Sequence, residues 1–494
     1  MNRKEFIKYA GMGSGAVALS PLLVSCAGDD PIGTIATGNF EVRLPVPETL
    51  RANDFDLSAG AVDMNLGGGI HLSGLQFNNS LPGPTIRKHK GETVNIRFNN
   101  ETGQESIVHW HGLIVPPEMD GHPRDAVPSG QSYDYHYTVN QRAGTHWYHP
   151  HPHGLTGEQV YKGLAGFYIV EDDEERALNL PQGARELPLV IQDRRVDDSG
   201  RVRYDPSMPE RMMTGFLGNN IMVNGAPHPF CEVSPDVYRL RILNGSNARI
   251  YNIAFENGAS FTVIGSDGGL LPAPVDTTEL LLAPGERADL LVDFSSGFRG
   301  SRVELISKPF EVPSTGGRMG RMQDMMGGSG GPEQGTGFSI MEFRIEGEAK
   351  DDAFSLPEQL SRSNFPVSSE ASTTRNILLS MEMMTGHTIN GRQFEMERAD
   401  EQVRQGDTEI WEFVNDSTVP HPMHVHAVHF KVLERSGSRG LLPTETGWKD
   451  TVLVMPGERV SVIMKFEAPK GLYVFHCHNL EHSDNGMMAN VLIS

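Results

Sequence analysis

Four short histidine clusters, one of them built around a cysteine, narrow the fold of this chain more than any other feature. They read His109-Trp110-His111-Gly112, His149-Pro150-His151, His421-Pro422-Met423-His424-Val425-His426, and His476-Cys477-His478 followed by His482 and Met487. Successive side chains of an extended strand point to opposite faces, so each His-x-His pair puts two imidazoles on one face. Four short strands that present metal donors are therefore expected.

The donors can be counted against copper chemistry. A soft thiolate, two imidazoles and a weak axial thioether make the ligand set of a blue-copper electron-transfer site. Cys477, His482 and Met487 supply three of the four, and His421 is the natural second imidazole. Eight clustered histidines remain: His109, His111, His149, His151, His424, His426, His476 and His478. Eight imidazoles suit three further copper ions with three, three and two nitrogens, leaving room for dioxygen. On a strand Cys477 faces one way and His476 and His478 the other, so the backbone itself wires the two centres together. A lone His-x-His is commonly incidental, but four copies with a central cysteine and a spaced methionine are not independent accidents. The remaining histidines, His71, His89, His122, His136, His146, His153, His228, His387 and His429, read as ordinary polar residues. Of these, His153 and His429 stand close enough in sequence to support ligands from behind.

At 494 residues the chain is long enough for about three domains. Its 54 glycines, 32 prolines and many short alternating segments predict a mostly β fold with abundant turns. A formal charge of −21 argues against nucleic acid or an anionic membrane as partner of the folded body.

Two elements recur in one order. Leu282-Ala283-Pro284-Gly285-Glu286-Arg287, leading to Phe294, returns as Val454-Met455-Pro456-Gly457-Glu458-Arg459 leading to Phe466, and more weakly as Val127-Pro128-Ser129-Gly130 leading to Tyr137. Short strands ending at asparagine repeat as Val94 to Asn99, Tyr238 to Asn244 and Thr408 to Asn415. Three copies predict three related β domains, at about 40–180, 181–350 and 370–494. The charged segments Glu171 to Arg176 and Glu346 to Asp352 read as linkers. Copper motifs fall only in the first and third copies, so the three-metal centre must lie between them. The middle copy reads as a spacer.

With these motifs in place the sequence resembles the multicopper oxidases, the family of laccases and bacterial cuprous oxidases, from about Phe40 to Ser494. Leu81-Pro82-Gly83-Pro84-Thr85-Ile86-Arg87, Gly265-Ser266-Asp267-Gly268-Gly269 and Gly447-Trp448-Lys449-Asp450-Thr451 also look like its bacterial three-domain branch. The resemblance implies an all-β chain of three cupredoxin-like Greek-key β-sandwich domains holding four copper ions, one type 1, one type 2 and two type 3. It implies that His109 and His424 hold the type 2 ion. One type 3 ion then takes His111, His149 and His478, and the other His151, His426 and His476. Asp120 matches the acid that bacterial members keep near the type 2 ion, and with Cys477 it is the expected catalytic residue. Where relatives carry glutamate after the second blue-copper histidine, this chain has Ser483, with Asp484 or Glu481 as substitutes for proton transfer.

The first residues are expected to lie outside the fold. Asn2-Arg3-Lys4-Glu5-Phe6-Ile7-Lys8 resembles a twin-arginine export signal, and Leu23-Val24-Ser25-Cys26 a lipobox whose cysteine is acylated. An exported, periplasmic or cell-surface lipoprotein over residues 1–26 is the expectation. With Cys26 acylated and Cys477 on copper, only Cys231 is left, so no internal disulfide is expected.

The expected reaction is one-electron oxidation of a reductant, entering by the His421 or His482 edge, coupled to reduction of dioxygen to water. Phenolic or similar aromatic compounds are the preferred reductants, with Cu(I) or other metal ions besides. A dedicated cuprous oxidase for copper homeostasis is the first alternative, since the loop Arg318-Met319-Gly320-Arg321-Met322-Gln323-Asp324-Met325-Met326 offers thioethers to a soft cation. Against it, Met381-Glu382-Met383-Met384 runs into Ile389-Asn390-Gly391 without the long insertion of copper-efflux relatives. Ser417, Thr418, Val419 and Pro420 also stand where those relatives use an acid and a methionine. A non-catalytic copper-binding or scaffold protein of this fold is the second alternative, although such relatives lose ligands and this chain keeps all of them. A copper nitrite reductase needs neither His-Cys-His nor four His-x-His pairs.

Overall fold

The computed structural model describes residues 38–494 apart from 296–300, 314–331, 349–353, 383–385 and 438. The export signal, Cys26, the loop from Arg318 to Met326, and Met383 and Met384 lie outside the described residues. Among the described residues no helix is long and apolar enough to cross a membrane.

The strands form three two-layered sandwiches. In the first, the sheet Thr49–Leu50, Thr85–His89, Gly166–Glu171, Gly144–Pro150 and Val108–His111 faces Ile70–Phe77, Asp54–Gly67, Thr93–Glu101 and Ser132–Thr138. The middle sandwich builds one sheet around Glu186–Val196, Val237–Asn244 and Arg287–Asp293, and the other around Phe338–Ile345 and Arg302–Ser307. In the third, Gly386–Ile389, Thr373–Glu382, Thr408–Asn415, Arg459–Lys465 and Phe430–Arg435 face Glu401–Val403, Met488–Ile493, Gly471–Cys477, His421–Val425 and Thr451–Val454. Each sandwich encloses its own apolar core.

The two repeated elements are partners in each sandwich. Thr93–Glu101, Val237–Asn244 and Thr408–Asn415 pair antiparallel with Ser132–Thr138, Arg287–Asp293 and Arg459–Lys465, the strands that follow the Pro-containing turns. At the end of the first strand an asparagine ties the corner. Asn244 donates to the Arg249 and Leu282 carbonyls, and Asn415 to those of Val419 and Val454. In the first copy this residue is Asn100, not Asn99, donating to Gln104 and Val127. Two adjacent asparagines hid the register, and the strand's alternation selects the one that turns inward.

That alternation also aims the metal donors. Trp110 is fully buried in the first core, with ring centroids 5.0–5.9 Å from those of Tyr135, Tyr137, Tyr148 and Tyr168. Burying such a ring contributes about 1.5–3 kcal/mol, so Trp110 fixes the face of its strand and turns His109 and His111 away from that core. In the third sandwich Tyr473, Phe475 and Cys477 point into the core beside Trp411, and His476 points out. The expected linker at Glu171 to Arg176 is instead built in: Asp172 caps the short helix Asp173–Ala177, and Glu175 is buried against Arg239 and Arg241. The buried pairing of two guanidiniums with Glu175, Glu186 and Asp289 outweighs the solvation an exposed linker would enjoy.

Candidate metal centre

The Cys477 sulfur lies 3.4 Å from His421 Nδ1 and 3.7 Å from His482 Nδ1. His482 Nε2 donates to the Met213 carbonyl at 3.0 Å, which leaves Nδ1 as the lone-pair nitrogen beside the sulfur. His421 Nε2 meets Ser417 Oγ at 2.8 Å. Asn479 caps the helix Leu480–Asp484 and donates its own N–H to the sulfur, and Met487 is fully buried in the same core. Burial pushes the Cys477 thiol up and both imidazoles down. The site is therefore neutral until a cation draws the thiolate out. Both rings are fully buried, so electron entry by the His421 or His482 edge would pass through the residues that cover them.

On the other face of the strand, imidazoles from the first and third sandwiches interleave. His109 Nε2 faces His424 Nε2 at 3.4 Å, and His151 Nε2 faces His476 Nε2 at 3.2 Å. Donor nitrogens of His151, His426 and His476 lie within 4.8 Å of one another, as do those of His109, His111 and His149. The His478 ring is 5.1 Å from that of His111 and 5.4 Å from that of His149. All eight sequence-predicted imidazoles thus come together, at most 2% exposed.

Several of their nitrogens, His111 Nδ1, His149 Nε2, His426 Nε2 and both of His478, have no hydrogen-bond partner among the described residues. Burial, reinforced by neighbouring rings, holds His109, His149, His151, His426, His476 and His478 well below the usual histidine range. Orphaned neutral nitrogens in a buried chamber are costly alone and are satisfied by a cation. An all-imidazole set beside a thiolate site fits copper.

The expected acid is in place. Asp120 Oδ2 accepts from His426 Nδ1 at 2.7 Å, and its carbonyl accepts from His109 Nδ1 at 2.6 Å. Burial raises its carboxyl well above the ordinary value. Ser483 Oγ lies 3.4 Å from His476 Nδ1. Its expected substitutes are engaged elsewhere. Glu481 accepts from Tyr204, Asn247 and the Phe216 N–H, while Asp484 accepts from the Thr156 and Gly157 N–H groups. The helix turn aims both at the other two sandwiches.

Two histidines read as ordinary belong to the site. The buried His387 ring packs 4.0 Å from that of His482 and 4.9 Å from that of His421. Its cross-strand neighbour is Met381, a pairing visible only once the strands are in register. His146 stacks parallel to His429 at 5.9 Å, and His429 Nε2 donates to the Gly112 carbonyl. His153 is exposed and packs against Phe394 instead of a ligand.

Comparison with known proteins agrees with this geometry. Multicopper oxidase family models match residues 59–175, 203–299 and 367–494. The laccase of Bacillus subtilis is 33% identical over 476 residues, 83% of this chain and 88% of that one. The cell division protein FtsP of Xenorhabdus nematophila is 31% identical over 503 residues, 100% of this chain and 99% of that one. The solved structure of McoA multicopper oxidase from the hyperthermophile Aquifex aeolicus superposes with a TM-score of 0.81 at 37% identity, over 92% of this chain and 99% of that one. Family-model matches in each sandwich, together with end-to-end relatives of about one-third identity, make this chain a member of the multicopper oxidase family, a copper-binding oxidoreductase that passes electrons from a reductant to dioxygen.

Proposed function

We propose a laccase-like oxidase of broad specificity with four copper ions. The type 1 ion is held by His421, Cys477, His482 and Met487, and the type 2 ion by His109 and His424. The type 3 pair takes His111, His149 and His478 on one ion, and His151, His426 and His476 on the other. The domains divide at about 40–180, 181–350 and 370–494. The observation that carries the reading is Cys477 between His476 and His478. Its sulfur sits among the third-core donors while its neighbours enter the imidazole chamber.

Copper, when bound, supplies one-electron steps and, in four ions, room for the four electrons that dioxygen needs. The protein's part is to hold ligands in the right tautomer, exclude water and bring in protons. Asp120 is the proton-handling residue, buried against His426 and His109. Phenols and similar aromatics are the preferred reductants, as the laccase relative suggests. The protein is exported and tethered through lipidated Cys26.

The FtsP relative, matched along the whole chain, favours one second reading, a non-catalytic scaffold. Elemental analysis of reconstituted protein, with oxygen uptake on Cu(I), Fe(II), Mn(II) and a phenol in parallel, separates the two. Four equivalents and phenol-driven uptake are expected. Copper without uptake would make it a scaffold, and uptake with Cu(I) alone would make it a cuprous oxidase.

A further inference from the structure

Three sequence motifs that bind no metal in this reading converge on one buried spot. Asp267 comes from the Gly265 to Gly269 turn and Glu286 and Arg287 from the middle Pro-Gly turn, while Lys449 and Asp450 come from the third sandwich. All are at most 1% exposed. Lys449 pairs with Asp267 and Glu286, each at 2.9 Å. Arg287 spends every one of its five N–H bonds. Nε donates to the Thr145 carbonyl at 3.0 Å, Nη1 to the Gly285 carbonyl and Asp450 Oδ1, each at 2.8 Å, and Nη2 to the Asp267 carbonyl at 3.1 Å and to Asp450 Oδ2. Thr145 lies on the first-sandwich strand that carries His149. One side chain of the ligand-free sandwich therefore grips both others beside the imidazole chamber.

Asp450 passes this grip to two ligands. Its Oδ1 accepts from His111 Nε2 at 3.0 Å and from Thr451 Oγ1 at 2.9 Å, and that hydroxyl lies 3.2 Å from His424 Nδ1, which also donates to the Asp450 carbonyl at 2.8 Å. A proton on His111 Nε2 leaves Nδ1 as the lone pair, and Nδ1 is the nitrogen without a partner. A proton on His424 Nδ1 leaves Nε2 free, the atom that faces His109. A bidentate guanidinium fixes a carboxylate in plane and direction in a way a lysine ammonium cannot.

We propose that Arg287 is a positioning residue for the oxygen-reducing centre: by locking Asp450 it sets the tautomer and aim of His111 and His424. The middle sandwich is then a working part of that centre and not a spacer. This rests on the ligand assignment above. The competing account is that the Arg287 pair only glues sandwiches together.

The test uses the full chain with Arg287→Lys and, in case that variant does not fold, the double variant Arg287→Met/Asp450→Asn, which leaves no buried charge of the pair unmatched. Copper equivalents, blue absorption, the type 2 resonance signal, thermal unfolding of metal-free protein, and kcat and KM are read together. We expect the blue absorption to persist while copper at the imidazole chamber drops. The type 2 signal changes, and kcat falls about 10–100-fold at unchanged KM for the reductant. Variants that only melt earlier, yet keep the full copper complement, the type 2 signal and kcat below their melting point, would overturn the proposal alone. A wild-type protein that takes up a single equivalent would overturn the ligand assignment and this proposal together.

Discussion

The Asp120 carboxylate, on the first sandwich, accepts a 2.7 Å hydrogen bond from His426 Nδ1 on the third. The bond fixes the His426 ring across the interface and turns its partnerless Nε2 into the chamber. Asp120→Asn keeps the shape but loses the group that can take up and release a proton. Turnover is expected to fall about 10–100-fold with copper content near that of the parent, checked by steady-state oxygen uptake and elemental analysis.

Cys477→Ser removes the one sulfur that faces both His421 and His482 while nearly conserving volume in a packed core. The variant should lose its blue colour and all turnover and still take up three equivalents of copper. Its metal-free stability should change by no more than about 1–2 kcal/mol in denaturant unfolding.

Gly112 follows His111 with φ +90°, and a Cβ there would stand 2.5 Å from His146 Nδ1, 2.7 Å from Asp450 Oδ2 and 2.8 Å from Arg287 Nη2. None of these atoms ends a free, flexible chain. Gly112→Ala combines left-handed strain with overpacking and should cost about 2–4 kcal/mol, read by thermal or denaturant unfolding, with copper loss from the imidazole chamber.

Acid sensitivity follows from the ion network between the first two sandwiches. Burial alone would raise Glu175 and Glu186, but Arg239 and Arg241 outweigh it for Glu175, and Arg241 and Arg87 for Glu186, bringing both down to about 2. A carboxylate depressed in the folded state stabilises fully above its unfolded value of 4.5 and loses that contribution as pH falls toward 2. Unfolding measured in that window should show stability dropping by roughly 3 kcal/mol per carboxylate. Glu175→Gln should flatten the drop and cost about 3–5 kcal/mol near neutrality, because two buried guanidiniums lose their shared partner.

Much of the site was legible because its logic is local. Period-two alternation around Trp110 and Cys477 decides where four imidazoles point, and residue type alone names the donors. The Pro-Gly turns and strand-end asparagines gave the three sandwiches for the same reason, save for the choice between Asn99 and Asn100. What stayed hidden is long-range. Asp450 reaches His111 across 339 positions, and His387 meets His482 only after Gly386–Ile389 has paired with Thr373–Glu382. No spacing rule joins such residues, and the segment from Glu171 to Arg176 looked like a linker because charge in sequence does not disclose its partners.

Ser417 and the Met213 carbonyl already occupy the outward nitrogens of His421 and His482. Both rings are also fully buried, so an electron bound for the metal they would hold crosses polypeptide before it meets either imidazole. Tunnelling is indifferent to contour and answers to separation and driving force. If the proposed copper is reduced across such a covering, a client's oxidation potential counts for more than its silhouette.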